Sequence, residues 1–328
     1  MTELAVRPAR GGAVVALLKR FPMEIIFLCL VAVLVMVAPG FDSTGNLLNV
    51  LRTISMLGII AFGMTAVIVA GEIDLSVGSG AALAGCIVAW FAGAYSDTIG
   101  AGLSVFLGAA VAVLVGFLTG LVTGKVRQHF NVPTFIATLA MFTALRGAAN
   151  LITGGYPLAT FPGWFEYFGG GYLLGIPFPV YIFAATFFGM HFLMNNTRFG
   201  RAVYAVGGNM EAARLSGIDV WFVKTMTLGL TGVLTAISGI LIASQIGSGT
   251  GTVATGMELD VIAAVIIGGT SLFGGKGRIW GTLIGVLFLG CVSNGMTLMN
   301  VSEYWQYVVR GAIILGAVLL NQILERVR

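Results

Sequence analysis

Charge is what this chain has least of. Only 9% of its 328 residues are Asp, Glu, Lys or Arg, and 58% are hydrophobic. A soluble domain carries roughly 25% charged residues. The scarcity excludes the two soluble domains that length alone would suggest and leaves a membrane protein. Nothing supports nucleic-acid binding: the net charge is +4, and the basic residues lie between apolar runs, where they set orientation in the membrane. Cysteine is nearly absent. Cys29, Cys86 and Cys291 fall in apolar runs without metal spacing and read as small buried hydrophobes. The two histidines, His129 and His191, sit near span ends and read as interfacial residues, which argues against a proton relay.

Catalytic motifs are missing too. Neither H-E-x-x-H nor G-x-S-x-G occurs, which argues against a membrane hydrolase. No Walker A loop is present. The nearest approach, Thr270-Ser271-Leu272-Phe273-Gly274-Gly275-Lys276-Gly277, lacks the first glycine and the closing Ser/Thr. It reads as a tight cytoplasmic turn, so any ATP-derived energy must come from elsewhere. No catalytic residue, metal or bound cofactor is expected on this chain. The basic start (Arg7, Arg10, Lys19, Arg20) precedes an apolar run without a cleavage site and reads as leading into an uncleaved span.

Glycine, by contrast, is abundant at 48 residues, about twice its usual frequency. Most of it lies inside apolar runs, where small residues let helices pack backbone to backbone in lipid. A span needs about 20 mostly apolar residues. Ten candidates follow: Met23–Val37, Leu51–Ala70, Val77–Ala94, Gly102–Val122, Pro133–Ile152, Pro177–Met194, Val223–Ala243, Leu259–Phe273, Trp280–Met299 and Tyr304–Leu324. The first and eighth are short and suggest broken helices.

Ten spans put every basic segment on one side: the N-terminal tail, Lys125-Val126-Arg127, Asn195–Lys224, Lys276-Gly277-Arg278, and the tail with Arg326 and Arg328. The positive-inside rule then makes both termini cytoplasmic. The longest opposite loop, Thr153–Ile176, is aromatic and Gly-rich. It reads either as a lid or docking surface for an external partner, or as an interfacial aromatic belt.

Glu72-Ile73-Asp74-Leu75 follows the second span and Glu258-Leu259-Asp260-Val261 the seventh. Each precedes a Gly-containing apolar run, on opposite faces of the membrane, which suggests an inverted repeat of spans two to five and seven to ten. Acidic residues near the membrane core need partners. Glu72, Asp74, Ser76, Arg146, Glu258 and Asp260 are therefore candidates for a polar pathway or gate, and Arg52 and Arg310 also stand out. The structural reading is ion pairing between helices, or N-capping by Asp74 or Asp260, and it is preferred.

The polar stretch Asn195–Lys224 holds a short capped helix. Gly207-Gly208 predicts a chain break, Asn209 an N-cap, Glu211 a first-turn acid, and Gly217 the C′ position. Met210–Ser216 would be two turns, roughly 10 Å long, with Glu211 and Arg214 paired at i,i+3. Alone, so short a helix is marginal in water. It makes sense where flanking spans hold it and a partner's groove receives it, although an ordinary connecting loop fits the local pattern as well.

Several segments resemble one family: Gly71-Glu72-Ile73-Asp74-Leu75-Ser76-Val77-Gly78-Ser79, Pro133–Leu139 with Arg146-Gly147, Thr197–Arg201, Tyr204–Asn209, and Glu258–Asp260 through Ile267-Gly268-Gly269-Thr270-Ser271 to Gly277. Together they resemble the permease of bacterial ATP-binding-cassette monosaccharide importers, in the ribose/xylose/galactoside branch, nearest to the ribose permeases. The family pattern has a small residue where Glu72 stands.

The resemblance implies an all-α membrane protein of the type II importer kind, with residues 1–328 as one permease domain and 195–224 as its coupling loop. It implies the bacterial inner membrane, a second permease subunit (a homodimer), a cytoplasmic ATPase carrying ATP and Mg²⁺, and an external sugar-binding protein. Asn209, Glu211, Ala212, Ala213, Arg214 and Gly217 would seat in the ATPase. The competing expectation is an ion- or proton-coupled secondary transporter, which would leave the capped helix unexplained.

Overall fold

The computed structural model describes residues 22–326, and the chain over that range is overwhelmingly helical. The tail residues Arg7, Arg10, Lys19, Arg20 and Arg328 lie outside the described residues. Helix α1 (Pro22–Val37) leads to α2 (Thr44–Val69), α3 (Val77–Ile99), α4 (Ala101–Phe130) and α5 (Thr134–Thr153). A short α6 (Glu166–Gly170) and a hairpin of β1 (Tyr172–Leu173) and β2 (Ile176–Pro177) follow. Then come α7 (Phe178–Asn196), α8 (Arg198–Gly208), α9 (Met210–Leu215), α10 (Val220–Ile246), α11 (Met257–Ile267), α12 (Ile279–Leu298) and α13 (Glu303–Arg326).

Each of the ten expected spans has a helix. Seven of them (α2, α3, α4, α5, α7, α10 and α12) are long and apolar enough to cross a membrane. Helix α1 is shorter, with 16 residues, and α13 is long but less apolar. The eighth expected span is a half-helix. Helix α11 has 11 residues, roughly 16 Å at 1.5 Å per residue, which is half a bilayer core. The chain continues as irregular backbone through 268–278. Such backbone survives at membrane depth only where protein buries and satisfies it. Here Gly269 N donates to Ile266 O (2.8 Å), Thr270 N to Val265 O (3.2 Å), Ser271 N to Lys276 O (3.0 Å) and Gly275 N to Val69 O (2.8 Å).

The packing shows the inverted repeat. Helices α2–α5 and α10–α13 correspond in order. Helix α10 packs on α3 and α4, while its counterpart α2 packs on α11 and α12, and the two touch each other at the centre. Likewise α3 packs on α5 where α11 packs on α13. Each repeat thus lends its first helix to the other. The acidic segments proposed to mark the repeat are not locally equivalent: Glu72 lies in the linker before α3, whereas Glu258 and Asp260 lie in the first turn of α11.

Glycine sets the closeness of these crossings. A Cβ on Gly116 or Gly232 would overlap the other's carbonyl, and one on Gly239 would overlap Ala81 O. The helices therefore touch main chain to main chain, the contact that replaces hydrophobic drive in lipid. Around them Ile59, Ile60, Phe62, Met64 and Val67 of α2 are fully buried, and Phe62 stacks on Phe183 of α7 at 5.2 Å. Cys86 and Cys291 are buried as expected. Cys29 is exposed, because α1 sits at the edge of the bundle against α12.

Candidate functional site

Helices α8 and α9 form an arm at one end of the bundle, joined to α7 and α10. Thr197 caps α8 by accepting from Gly200 N (3.1 Å). Gly200, Val203 and Val206 recur every three residues and turn inward, while Arg198 and Arg201 face out. The sequence reading left this segment without a helix, since glycine and arginine mask its short amphipathic pattern. Gly207 and Gly208 do not break the chain. They form the last turn of α8, and the break falls at Asn209, whose φ of −154° and ψ of 101° leave the helical region.

Close approach explains Gly207 and its neighbour across the contact, Gly275. A Cβ on Gly207 would overlap Val69 O at the end of α2, and one on Gly275 would lie 2.7 Å from Gly208 Cα. Since Gly275 N donates to that same Val69 O (2.8 Å), three chain segments meet at one point. Tyr204 fastens the arm further, its hydroxyl donating to Gly277 O (2.9 Å). The stretch Gly274–Gly277 is therefore the seat of the arm as well as a turn.

Helix α9 is as short as expected, ending at Leu215 rather than Ser216. Asn209 Oδ1 accepts from Ala212 N (2.9 Å). At the far end Ile218 N donates to Ala213 O (3.1 Å) and Gly217 N to Arg214 O (3.0 Å), with Gly217 at φ +81°. This is the Schellman arrangement, which requires a left-handed residue at C′. Arg214 grips Glu211 with two bonds, Nη2 to Oε1 at 2.6 Å and Nε to Oε2 at 3.1 Å. These bonds hold the Glu211 carboxyl below its usual range and raise the Arg214 guanidinium above its own. Ala213 alone turns inward; Met210, Glu211, Ala212, Arg214 and Leu215 are exposed. The helix is stiff at both ends and bare on its outer face.

Near the arm lies a buried ionic cluster. Glu72 Oε1 sits 2.5 Å from Arg127 Nη2 of α4 and 2.6 Å from Lys224 Nζ of α10. Thr134 of α5 donates its hydroxyl to Glu72 Oε2. Removing one partner from such a buried pair costs roughly 3–5 kcal/mol, because a charge is left uncompensated. Arg127 also lies over the Trp221 ring, 5.0 Å from its centroid. The partners Arg127, Lys224 and Thr134 were not foreseen. A signal existed: Lys224 stands inside an apolar helix, and such a lysine needs a partner.

Asp74 and Ser76 close a turn on themselves. Ser76 N and Oγ donate to Asp74 Oδ1 at 2.8 and 2.6 Å. Asp74 does not cap α3 directly, as Ser76 holds the N-cap position and Val77 opens the helix. Nor does Asp260 cap α11, where Gly256 holds that position. Asp260 instead accepts from Arg310 Nη1 of α13 (3.0 Å), and Arg310 Nη2 donates to Ser293 of α12 (2.8 Å).

Arg146 of α5 donates through Nη1 to Gly251 O (2.6 Å) and Val253 O (2.7 Å), fixing the linker after α10. Its Nη2, and Oε2 of buried Glu258, find no hydrogen-bond partner among the described residues. Glu258 lies against Gly78, where a Cβ would overlap its carboxylate and come 2.6 Å from Ala254 O. The end of the 247–256 linker and the first turn of α11 therefore reach the start of α3 inside the protein, where the helix dipole favours an acid. Helix α5 serves both linkers, 70–76 and 247–256: Thr134 meets Glu72, Thr138 donates to Ile73 O (3.3 Å), and Arg146 holds Gly251 and Val253.

At the other end, the aromatic segment folds back. Ser244 of α10 donates to Phe165 O (2.5 Å) and accepts from Gly169 N (2.7 Å). Leu158 and Gly249 exchange backbone bonds of 2.9 and 3.0 Å, and Thr160 donates to Ala89 O (2.6 Å). Phe165 is buried while Trp164, Tyr172 and Leu174 remain exposed, so the segment is a seated cover with an open outer surface.

Two interlocked inverted halves, broken backbone inside, and a stiff helix with an exposed outer face at one end define a polytopic transport permease. A family model described as "Branched-chain amino acid transport system / permease component" matches residues 46–318, and the chain belongs to this family. It is 42% identical over 303 residues to the ribose import permease protein RbsC of Escherichia coli K12, covering 90% of this chain and 92% of the relative. The ribose import permease protein RbsC of Bacillus subtilis is 44% identical, with 89% of each chain covered. The L-arabinose ABC transporter permease protein AraH of Azospirillum brasilense is 38% identical, covering 98% and 93%. No solved structure matches the chain.

Proposed function

We propose that this chain is the membrane permease of an ATP-binding-cassette importer that carries a monosaccharide, ribose or a related sugar, into the cytoplasm. The relatives named above carry ribose and L-arabinose in their names. The family description mentions branched-chain amino acids, but the sequence is similar over nearly its whole length to sugar permeases. Two copies would form the translocation unit in the inner membrane, with both termini and the basic end on the cytoplasmic side. ATP and Mg²⁺ would bind on a separate ATPase, and a sugar-binding protein would dock on the opposite end, over the 153–177 cover.

Residues 195–224 act as the coupling loop, with Asn209, Glu211, Ala212, Ala213, Arg214 and Gly217 forming the helix that seats in the ATPase. The observation that carries this reading is α9 itself. It is capped at both ends and bonded to its neighbours, and it presents every side chain but Ala213 outward. Glu72, Asp74, Ser76, Arg146, Glu258 and Asp260 frame the gate, as they lie on the two inward linkers or on the helices that clasp them.

The test is Glu211→Lys, which reverses the charge on the outer face and breaks the pair with Arg214. The variant should insert normally and lose its co-purifying ATPase together with sugar uptake. Normal co-purification and uptake would refute the docking role.

A further inference from the structure

We propose that Glu72 is a positioning residue for coupling: an ionic clamp that holds the arm end of the permease in its resting state until α9 moves. The proposal rests on the reading of α9 as the docking helix.

Glu72 is the acid between two cations from different helices, half-buried Arg127 of α4 and buried Lys224 of α10. Its side chain is 4% exposed and that of Lys224 is 8% exposed. Water therefore screens neither charge well. Without the carboxylate, two like charges would face each other in a poorly solvated space and drive α4 and α10 apart. The pair is thus a lock with an opening force built in, whose release depends on where Glu72 sits.

That position is tied to the arm by two routes. Lys224 lies near the start of α10, shortly after α9. The connection is stiff, with the Schellman turn at Gly217 followed by Asp219 capping Phe222 N at 2.9 Å. Any displacement of α9 therefore reaches Lys224 early. The second route runs through α8, which meets Val69 O at Gly207, three residues before Glu72. Both routes converge on the linker 70–76, which continues to Asp74, Ser76 and the contact between Gly78 and Glu258. Glu72 is the one side chain on this linker that binds α4, α5 and α10 together.

The experiment uses the full permease reconstituted in lipid with its ATPase, without sugar or binding protein, and measures the rate of ATP hydrolysis. Glu72→Gln should keep the ATPase bound and raise this resting rate at least fivefold. Lys224→Gln, which leaves Glu72 paired with Arg127 and no excess cation, should raise it less. The swap Glu72→Lys with Lys224→Glu keeps one acid and two cations in the cluster and should bring the rate back toward wild type. A merely structural role would lower activity in both single variants and would not be rescued by the swap. An unchanged or reduced rate in both single variants overturns the clamp. Loss of the ATPase from Glu211→Lys but not from Glu72→Gln keeps the docking reading separate from this one. If Glu72→Gln does not fold, Lys224→Gln and the swap decide the matter.

Discussion

The two halves of this permease share a helix plan and differ in what holds their crossings. Where α4 crosses α10, Gly116 and Gly232 meet main chain to main chain, and a Cβ on Gly120 would overlap Leu228 O. At the matching crossing of α12 on α2, Gly290 meets only the side chain of Ile54. There Asn46 and Asn294 exchange amide hydrogen bonds of 2.9 and 2.8 Å. At the first crossing Gly229 also meets the side chains of Phe117 and Leu121, so fixed main-chain contacts stand beside adjustable ones, whereas the second crossing is made by side chains at Gly290 and at the Asn46–Asn294 pair. Inverted topology therefore fixes which helices meet without fixing how firmly. The charges follow the same division: Glu72 is bridged to both Arg127 and Lys224 and accepts from Thr134, whereas Asp260 is bridged to Arg310.

The sharpest way to break this comparison is to add bulk at both crossings. Gly232→Val should abolish monodisperse protein, since overlap with the Gly116 backbone cannot be relieved by a rotamer. Gly290→Ala should keep most of it, because Ile54 can shift at a cost of about 1–3 kcal/mol. Yields from size-exclusion chromatography of detergent extracts check both. Equal damage would mean that the two crossings are alike after all.

A smaller effect is expected at the second half's own ion pair. Asp260 and Arg310 are about a quarter exposed, so solvent screens them more than the Glu72 cluster. A double-mutant cycle with Asp260→Asn and Arg310→Gln, read by thermal unfolding in detergent, should give a coupling of about 1 kcal/mol. A coupling above the roughly 3–5 kcal/mol of a buried pair would erase the contrast between the halves.

Ser244 holds the cover to α10 through two bonds, each contributing about 0.5–1.5 kcal/mol. Ser244→Ala should therefore speed amide exchange across Gly163–Gly170 while leaving α2 and α10 protected. Unchanged exchange there would show that the aromatic packing alone seats the cover.

The smallest effect concerns Glu211. Its carboxyl is held below the ordinary Glu value of 4.5 by Arg214. The pair's contribution is therefore complete above that value and fades as pH falls through the lower folded-state pKa. Amide protection of α9 should stay flat down to about pH 5 and decline only in stronger acid, and salt should shrink the change because both groups are exposed. A decline beginning near neutrality would exclude the pair as its cause.

Much of this was legible in the sequence, for identifiable reasons. Ten apolar runs gave ten helices, because lipid forces the backbone to satisfy itself. The caps of α9 were legible at Asn209 and Gly217, since each depends on a side chain or a positive φ within a few residues. The Glu72 cluster was not, because its partners lie 55 and more residues away; Arg127 has the signature of an ordinary orientation charge, Thr134 has none, and Lys224 alone gave a hint by standing within an apolar helix. Gly207 and Gly208 were misread for a related reason. A glycine that ends a helix and one that admits a neighbouring backbone look the same in sequence.

The meeting of Gly207, Gly275 and Val69 has a mechanical consequence. A side chain between two moving parts is a spring, because its rotamers absorb part of any displacement. At Gly207 no side chain stands between the arm and Val69 O, so little travel can be lost at that point. Lengthening or softening this contact should cost throw rather than affinity: the engine would still hold the permease, yet each stroke would deliver less movement to the linkers inside.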